Sequence, residues 1–167
     1  MLTRAEQSSD REKITKVNDD AFGGTDESRL VNLLRVQAEP HLSLIAEDDG
    51  LLCGHIMFSP ATVVKDASLK VFGLAPMSVT PAKQNAGIGS LLVKEGLSKC
   101  KALGYGGVIV LGHPTYYPRF GFKPGIEFEL ACEYDVPSEV FMALELIEGY
   151  FKNVSGTVKY HAAFGAL

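Results

Sequence analysis

Thr80-Pro81-Ala82-Lys83-Gln84-Asn85-Ala86-Gly87-Ile88-Gly89-Ser90 joins an extended apolar segment, Leu69–Val79, to a long amphipathic one, Gly87–Leu103. In the second segment Ile88, Leu92, Gly96, Cys100 and Leu103 recur three or four residues apart, as on one helix face, and Gly104 ends it. Pro81–Ala86 reads as the loop between strand and helix. A helix N-terminus carries unpaired backbone N–H groups and the positive end of the dipole. Glycines at 87 and 89 remove Cβ atoms and let an anion reach that backbone. The stretch is therefore suited to phosphate oxygens, although a tight strand-to-helix turn would use the same glycines.

Two familiar phosphate loops fail on these residues. A P-loop needs Gly-Lys-Ser/Thr, but Gly89 is followed by Ser90-Leu91. The dinucleotide fingerprint needs a third glycine, where Leu92 stands, and an acidic residue after the next strand. That strand, Gly107–Leu111, ends in Gly112-His113.

Working outward, Ile14, Val17 and Ala21 predict a helix from about Asp10 that Gly23-Gly24 stops. A second helix starts near Glu27, with Leu30, Leu33 and Leu34 on one face. Leu42–Ala46 and Leu51–Phe58 read as a hairpin around Glu47-Asp48-Asp49-Gly50. Residues 61–65 read as a further strand, and 107–111, nearly all apolar, as one buried on both faces. A helical turn follows near Pro114–Arg119. Phe128–Ala131, Glu139–Leu146 and Thr157–Tyr160 are strand-like. For Glu139–Leu146 the alternation of Val140, Met142, Leu144 and Leu146 selects a strand over the helix its composition also tolerates. Helices come first, then an antiparallel meander, then β-α-β, then more strands. This is a mixed α/β sheet, not a doubly wound parallel one.

The 167 residues suffice for one domain, 1–167, with no repeat or linker to divide it. Hydrophobic residues at 46% and charged residues at 22% fit a soluble globular chain. A net charge of −4 gives no basic surplus for nucleic acid or an anionic membrane. Cys53, Cys100 and Cys132 have no paired spacing, which argues against disulfides or a zinc site and for a reducing cytoplasm. The polar start Met1-Leu2-Thr3-Arg4-Ala5-Glu6 does not read as a signal peptide, and no apolar run could span a bilayer.

A different family pattern fits the loop. Gln84-x-x-Gly87-x-Gly89 resembles the pyrophosphate loop of the GCN5-related N-acetyltransferase (GNAT) family. Tyr117-Pro118-Arg119-Phe120-Gly121-Phe122 resembles that family's Tyr-x-x-x-Gly-Phe element, in the right order and separated by one helix and one buried strand. Gly54-His55-Ile56-Met57-Phe58-Ser59-Pro60 and Tyr116–Phe122 resemble a bacterial, YhbS-like subgroup of acetyltransferases. With the helix-helix-hairpin start, the resemblance covers most of the chain.

It implies a mostly antiparallel sheet with flanking helices, whose fourth and fifth strands are parallel and splayed around the pantetheine of acetyl-CoA. Pro76 lies in the fourth strand, Leu69–Val79, and cannot donate to a ladder, so it marks either a bulge or a strand end. Family members bulge there, freeing an N–H to polarise the thioester carbonyl. Met77, Ser78 and Val79 would then line pantetheine through their backbones, and Gln84, Asn85, Ala86, Gly87, Ile88, Gly89 and Ser90 would wrap the pyrophosphate. Lys83 is a candidate for the 3′-phosphate. Many members hold pantetheine with an asparagine after strand five; here Gly112-His113-Pro114 stands instead, leaving Gly112 and Tyr116 as the contacts on that side.

Tyr117 has the spacing of the family's general acid. A thiol titrates near 8.5 and a phenol near 10, so a phenol stays protonated at neutral pH and can donate to a departing CoA thiolate. The amine must arrive neutral, yet alkylamines titrate near 10.4. Family members often use a glutamate on strand four; Leu69–Val79 has none. Glu27, an ordinary dipole partner in a first helical turn, and His55, either cleft-facing or a satisfied core histidine, are the candidate bases. Cys100 reads as a buried side chain, not a nucleophile. The implied reaction is direct acetyl transfer to a primary amine of a small molecule or peptide, without metal. The missing strand-four carboxylate keeps a second class open, a non-catalytic acyl-CoA sensor. Dimers are frequent in the family, so a homodimer is among the implied assemblies.

Overall fold

The predicted periodicities become three α-helices and nine strands among the described residues, 1–166, of a computed structural model. The chain divides into two compact units. One holds residues 1–59, 75–96 and the tail from Ala162; the other holds residues 60–74 and 97–161.

In the first unit, β1 (Leu2–Ala5) pairs antiparallel with β2 (Leu42–Asp48), which pairs antiparallel with β3 (Leu51–Val63) from Leu42↔Phe58 to Asp48↔Leu51. Asp49 (φ 50°) and Gly50 (φ 77°) form the turn, both left-handed as a tight hairpin requires. α1 (Arg11–Phe22) stops where Gly23 enters φ 73° and donates to Asp19. α2 (Asp26–Gln37) follows, and Ile14, Leu30, Val31 and Leu34 pack with Ile45 and Met57 into one apolar cluster. Helices do not come first, as expected; β1 does. Its polar Thr3 and Arg4 hide the strand, which is held by backbone pairing and by Arg4 ion pairs to Asp10 (2.7 Å) and Glu47 (2.8 Å).

Two glycines seat α3 (Ile88–Ala102) in this unit. A Cβ on Gly54 would come within 3.0 Å of Ile88 and Leu92, and one on Gly96 within 2.4 Å of the buried Phe58 ring. The first turns of α3 therefore lie flat on β3, which fixes where the helix N-terminus stands.

In the second unit, the first part of β4 (Val71–Val79) runs parallel to β5 (Gly107–Leu111), from Val71↔Gly107 to Leu74↔Val110. β5 pairs antiparallel with β8 (Phe141–Glu145), and β8 with the short β6 (Lys123–Pro124). β9 (Gly156–Lys159) pairs antiparallel with the end of β3 and parallel with β7 (Leu130–Cys132). Most pairings are antiparallel, and the mixed α/β class holds. Val108, Ile109, Met142 and Val158 are buried here, and Phe72 stacks on Tyr105 at 3.7 Å.

Three boundaries shift. The strand expected at 61–65 is the continuation of β3, because Pro60 sits inside a strand without ending it. Residues 125–128 form a 3-10 turn, and β7 begins only at Leu130. Residues 138–140 form another such turn before β8. Glu139–Leu146 was the ambiguous segment, and its alternating half is the strand.

Candidate functional site

The 84–90 loop belongs to the first unit. Gln84, Asn85, Ala86 and Gly87 are exposed, and Ile88 is the first buried residue of α3. Asn85 (φ 62°) and Gly87 (φ 87°) adopt left-handed backbone, and a Cβ on Gly87 would meet nothing within 4 Å. Open space above a left-handed glycine at a helix start is the geometry of an anion cradle, because the positive end of the helix dipole faces that space. The Gln84 side chain donates to the Val79 carbonyl (3.0 Å), tying the loop to the end of β4. Lys83 donates to Asp48 (2.6 Å).

Residues 75–79 of β4 lie in the same unit. The Ala75–Pro76 bond is cis, and the strand continues through Pro76 to Val79. Pro76 therefore does not mark the strand end that its missing N–H left open. Along this stretch Ser78 is buried, whereas Met77 and Val79 are partly exposed. The Ser78 hydroxyl is a buried group without a hydrogen-bond partner.

The two candidate bases have different settings. Glu27 stands partly exposed in the first turn of α2. His55 is fully buried: its Nδ1 faces Asn18 Nδ2 (3.2 Å) and its Nε2 faces Ser43 Oγ (2.9 Å). Asn18 Nδ2 also donates to the Ile14 carbonyl (3.0 Å), so that nitrogen is a donor to His55, whose Nδ1 must accept. The proton is then on Nε2, directed at Ser43, whose hydroxyl donates to Glu6. Burial and the Arg35 charge push the imidazole down to about 3. This is a satisfied core histidine, not the cleft-facing ring that would take a proton from an amine.

Near Glu6 the first unit has a cavity of about 300 Å³, lined by Glu6, Arg11, Arg35, His41 and Ser43 among others. It does not include the 84–90 loop, which is open surface.

In the second unit β5 leads to Gly112, whose N–H donates to Val140 (3.0 Å). A Cβ on Gly112 would lie 2.2 Å from the Tyr117 ring, so the glycine makes room for that side chain. Tyr117 opens the 3-10 turn Tyr117–Phe120 and is 7% exposed, edge-on to Tyr116 and Phe122. Burial pushes its phenol up to about 12, so it holds its proton throughout the neutral range. Tyr116 carries the Arg119 guanidinium 4.5 Å above its ring. Tyr160, just after β9, is also buried; its hydroxyl accepts from Leu111 N–H (3.2 Å) and donates to the Leu74 carbonyl (3.4 Å).

With this geometry in view, known proteins supply the decisive likeness. Residues 3–125 match the acetyltransferase (GNAT) domain family. The chain belongs to the GNAT acetyltransferases. The uncharacterized GNAT N-acetyltransferase YhbS of Escherichia coli K12 is 33% identical over 165 residues, covering 98% of each chain. Its crystal structure, in complex with CoA, superposes with a TM-score of 0.92 over 98% of this chain and 91% of that one, at 32% identity. A GNAT family acetyltransferase from Brucella melitensis, solved with acetyl-CoA, gives 0.79 at 36% identity, covering 98% and 97%. The GNAT fold and the acyltransferase class follow, as does the YhbS-like character that the motifs suggested.

Within this GNAT chain, the motif residues are those whose backbones or immediate neighbours carry the geometry. The long-range groups were not legible. Asn18 and Ser43, which complete the His55 chain, carry no motif, and the one signal was a histidine interrupting an apolar strand. Tyr160 lies beyond the family match and had no local signature at all. Among the described residues no cluster of acidic, histidine or cysteine side chains is arranged to hold a metal, and no helix is long and apolar enough to cross a membrane. Cys53, Cys100 and Cys132 are free thiols.

Proposed function

We propose that this protein binds acetyl-CoA with the 84–90 loop at the start of α3 wrapped around the pyrophosphate, and transfers the acetyl group to a primary amine. The observation that carries the reading is the exposed loop with left-handed Asn85 and Gly87 leading into α3. The CoA and acetyl-CoA complexes of the two relatives support it. The whole chain works as one acetyltransferase domain, a reading supported by the relatives' end-to-end alignment.

The transfer is direct, in a ternary complex. The amine nitrogen attacks the thioester carbon, and the carbonyl oxygen becomes an oxyanion held by a β4 amide near Met77. Ser78 and Val79 continue the backbone lining of pantetheine, and Gly112 and Tyr116 contribute on the strand-five side. The carbon–sulfur bond breaks, CoA leaves as thiolate, and Tyr117 gives it a proton. A phenol near 12 is a weaker acid than an ordinary thiol. The same loss of water that raises Tyr117 also raises the basicity of the departing thiolate, which keeps the proton transfer matched. Glu27, or a water it holds, takes the amine's proton. Of the two bases considered, Glu27 is retained because both His55 ring nitrogens are engaged.

Isothermal titration with acetyl-CoA and CoA, followed by thiol release against a panel of amines, tests the reading. Binding is expected well below millimolar levels, and absence of binding at that level defeats it. Tyr117→Phe should lower turnover roughly 10²–10⁴-fold, the usual contribution of a general acid, while CoA affinity stays unchanged. Full turnover in that variant would remove Tyr117 from the chemistry. Tight CoA binding with no thiol release for any amine would favour the sensor reading, which the absence of a carboxylate on β4 supports.

A further inference from the structure

The β4–β5 register ends at Leu74↔Val110, although β4 itself runs on to Val79. At that last pair one side chain touches both strands. The Tyr160 hydroxyl accepts from the Leu111 N–H (3.2 Å) and donates to the Leu74 carbonyl (3.4 Å). Parallel ladders propagate by N–H groups of one strand reaching carbonyls of the other. A buried hydroxyl is both donor and acceptor, so it can satisfy one group from each strand at the point where the ladder stops.

The surroundings commit Tyr160 to this place. A Cβ on Gly73 would lie 2.6 Å from the tyrosine ring, so the ring lies across β4 where the strand has no side chain. Its own N–H donates to Glu133 (2.9 Å), and β9, directly before it, is paired on two sides. The residue is 7% exposed, and burial pushes the phenol up, so the hydroxyl keeps the proton that the Leu74 bond needs.

We infer that Tyr160 is a positioning residue that caps the β4–β5 ladder at Leu74 and Leu111 and thereby sets where the strands part for the thioester arm of acetyl-CoA. The inference rests on the acetyl-CoA reading above and adds a residue that the loop motifs do not contain. Tyr160 does not touch the reacting atoms. It acts by holding Leu74 and Leu111 in the orientation that stops further pairing.

Tyr160→Phe keeps the ring and removes the cap. Two measurements on the full chain separate the possibilities. Hydrogen exchange at the Leu111 amide, read without cofactor, should accelerate roughly tenfold as its acceptor is lost. CoA titration should give a dissociation constant raised roughly tenfold with unchanged stoichiometry. A merely structural role would lower the stoichiometry of competent protein and leave the constant alone. Gly73→Ala, which pushes the ring while keeping the hydroxyl, should weaken CoA binding in the same way. Wild-type affinity in both variants, or an unaltered Leu111 exchange rate in Tyr160→Phe, overturns the inference. If the wild type itself binds no CoA, the acetyl-CoA reading fails, and the exchange arm still decides whether the hydroxyl caps the ladder.

Discussion

The two units bury different sets of titratable groups, although each holds a buried thiol raised by desolvation, Cys53 in the first and Cys100 in the second. The first hides a neutral histidine, His55, held by Asn18 and Ser43 and pushed down to about 3. The second hides a thiol, Cys100, pushed up to about 12, with the phenols Tyr117 and Tyr160 also raised. One rule governs both: burial disfavours whichever form is charged. For a base the charged form appears in acid, for a thiol or phenol in alkali. The acid-sensitive groups should therefore lie in the first unit, and most of the alkali-sensitive ones in the second.

The acid side carries the largest expected effect. His55 titrates near 6.5 when unfolded and near 3 when folded. A depressed folded value means the unfolded chain binds the proton first. The stabilisation is complete above 6.5 and is lost as pH falls toward 3, a total of roughly 4–5 kcal/mol. Asp10 also loses stabilisation in acid, because its hydrogen bond to Arg4 lowers its pKa, but only once pH falls below the ordinary carboxylate value of 3.8. Urea unfolding across pH 7 to 3 is expected to show a slope beginning near 6.5. His55→Gln, which keeps a hydrogen-bonding side chain without a titrating ring, should flatten the slope above 4 at some cost in stability at neutral pH. An unchanged slope in that variant would assign the acid sensitivity elsewhere.

On the alkaline side the effect of Cys100 taken singly should be slightly smaller. Cys100 titrates at 9.0 as an ordinary thiol and at about 12 in the fold. Its contribution is complete below 9 and is lost as pH rises to 12, roughly 4 kcal/mol in all. In Cys100→Ala the decline between 9 and 12 should become shallower but still begin near 9, because burial also raises the Cys53 and Cys132 thiols. Hydrogen exchange read residue by residue would show whether residues 97–161 loosen first in alkali and residues 1–59 first in acid. Simultaneous loosening at both extremes would mean the chain opens as one cooperative body and would erase the contrast.

A second contrast explains what the residue string disclosed. On the acetyl-CoA reading the 84–90 loop works through its backbone, and a chain that turns left-handed and stays open at a helix start favours a glycine such as Gly87. Gly87 and the helix after it therefore announce themselves locally, and so do Gly121 and its neighbours after Tyr117. β2, β3, β5 and β8 were legible because their apolar residues repeat with the period of a strand. β1 was not, since most of its stability comes from pairing with β2 and from Arg4 reaching Asp10 and Glu47, contacts spanning up to 43 positions. The His55 chain and the Tyr160 bridge were invisible for the same reason. Leu74 and Tyr160 are 86 positions apart, and no spacing rule links them. The absent carboxylate on β4 could be read directly, yet its consequence for the base could not, because the burial of His55 depends on α1 and β2 together.

The smallest expected effect concerns the edge of the loop. Lys83 was a candidate partner for the cofactor's 3′-phosphate, and in the structure its ammonium bonds Asp48 at 2.6 Å. The two groups hold each other in their charged forms: the hydrogen bond to Lys83 lowers the Asp48 pKa, and the bond to Asp48 raises that of Lys83. Both side chains are about one-third exposed, enough for solvent and salt to screen the ion pair and keep its contribution to stability small. Asp48→Asn should therefore leave the thermal midpoint nearly unchanged. It releases the ammonium beside a loop that, on the acetyl-CoA reading, faces a phosphate. CoA should then bind more tightly by no more than roughly fivefold, and dephospho-CoA, which lacks the 3′-phosphate, should gain nothing. Raising salt should abolish the difference, because screening acts on an exposed charge. Equal tightening for both ligands would place Lys83 against the pyrophosphate instead. No tightening for either would leave Lys83 as a tether between Asp48 at the end of β2 and the loop, with the anion held by the backbone alone.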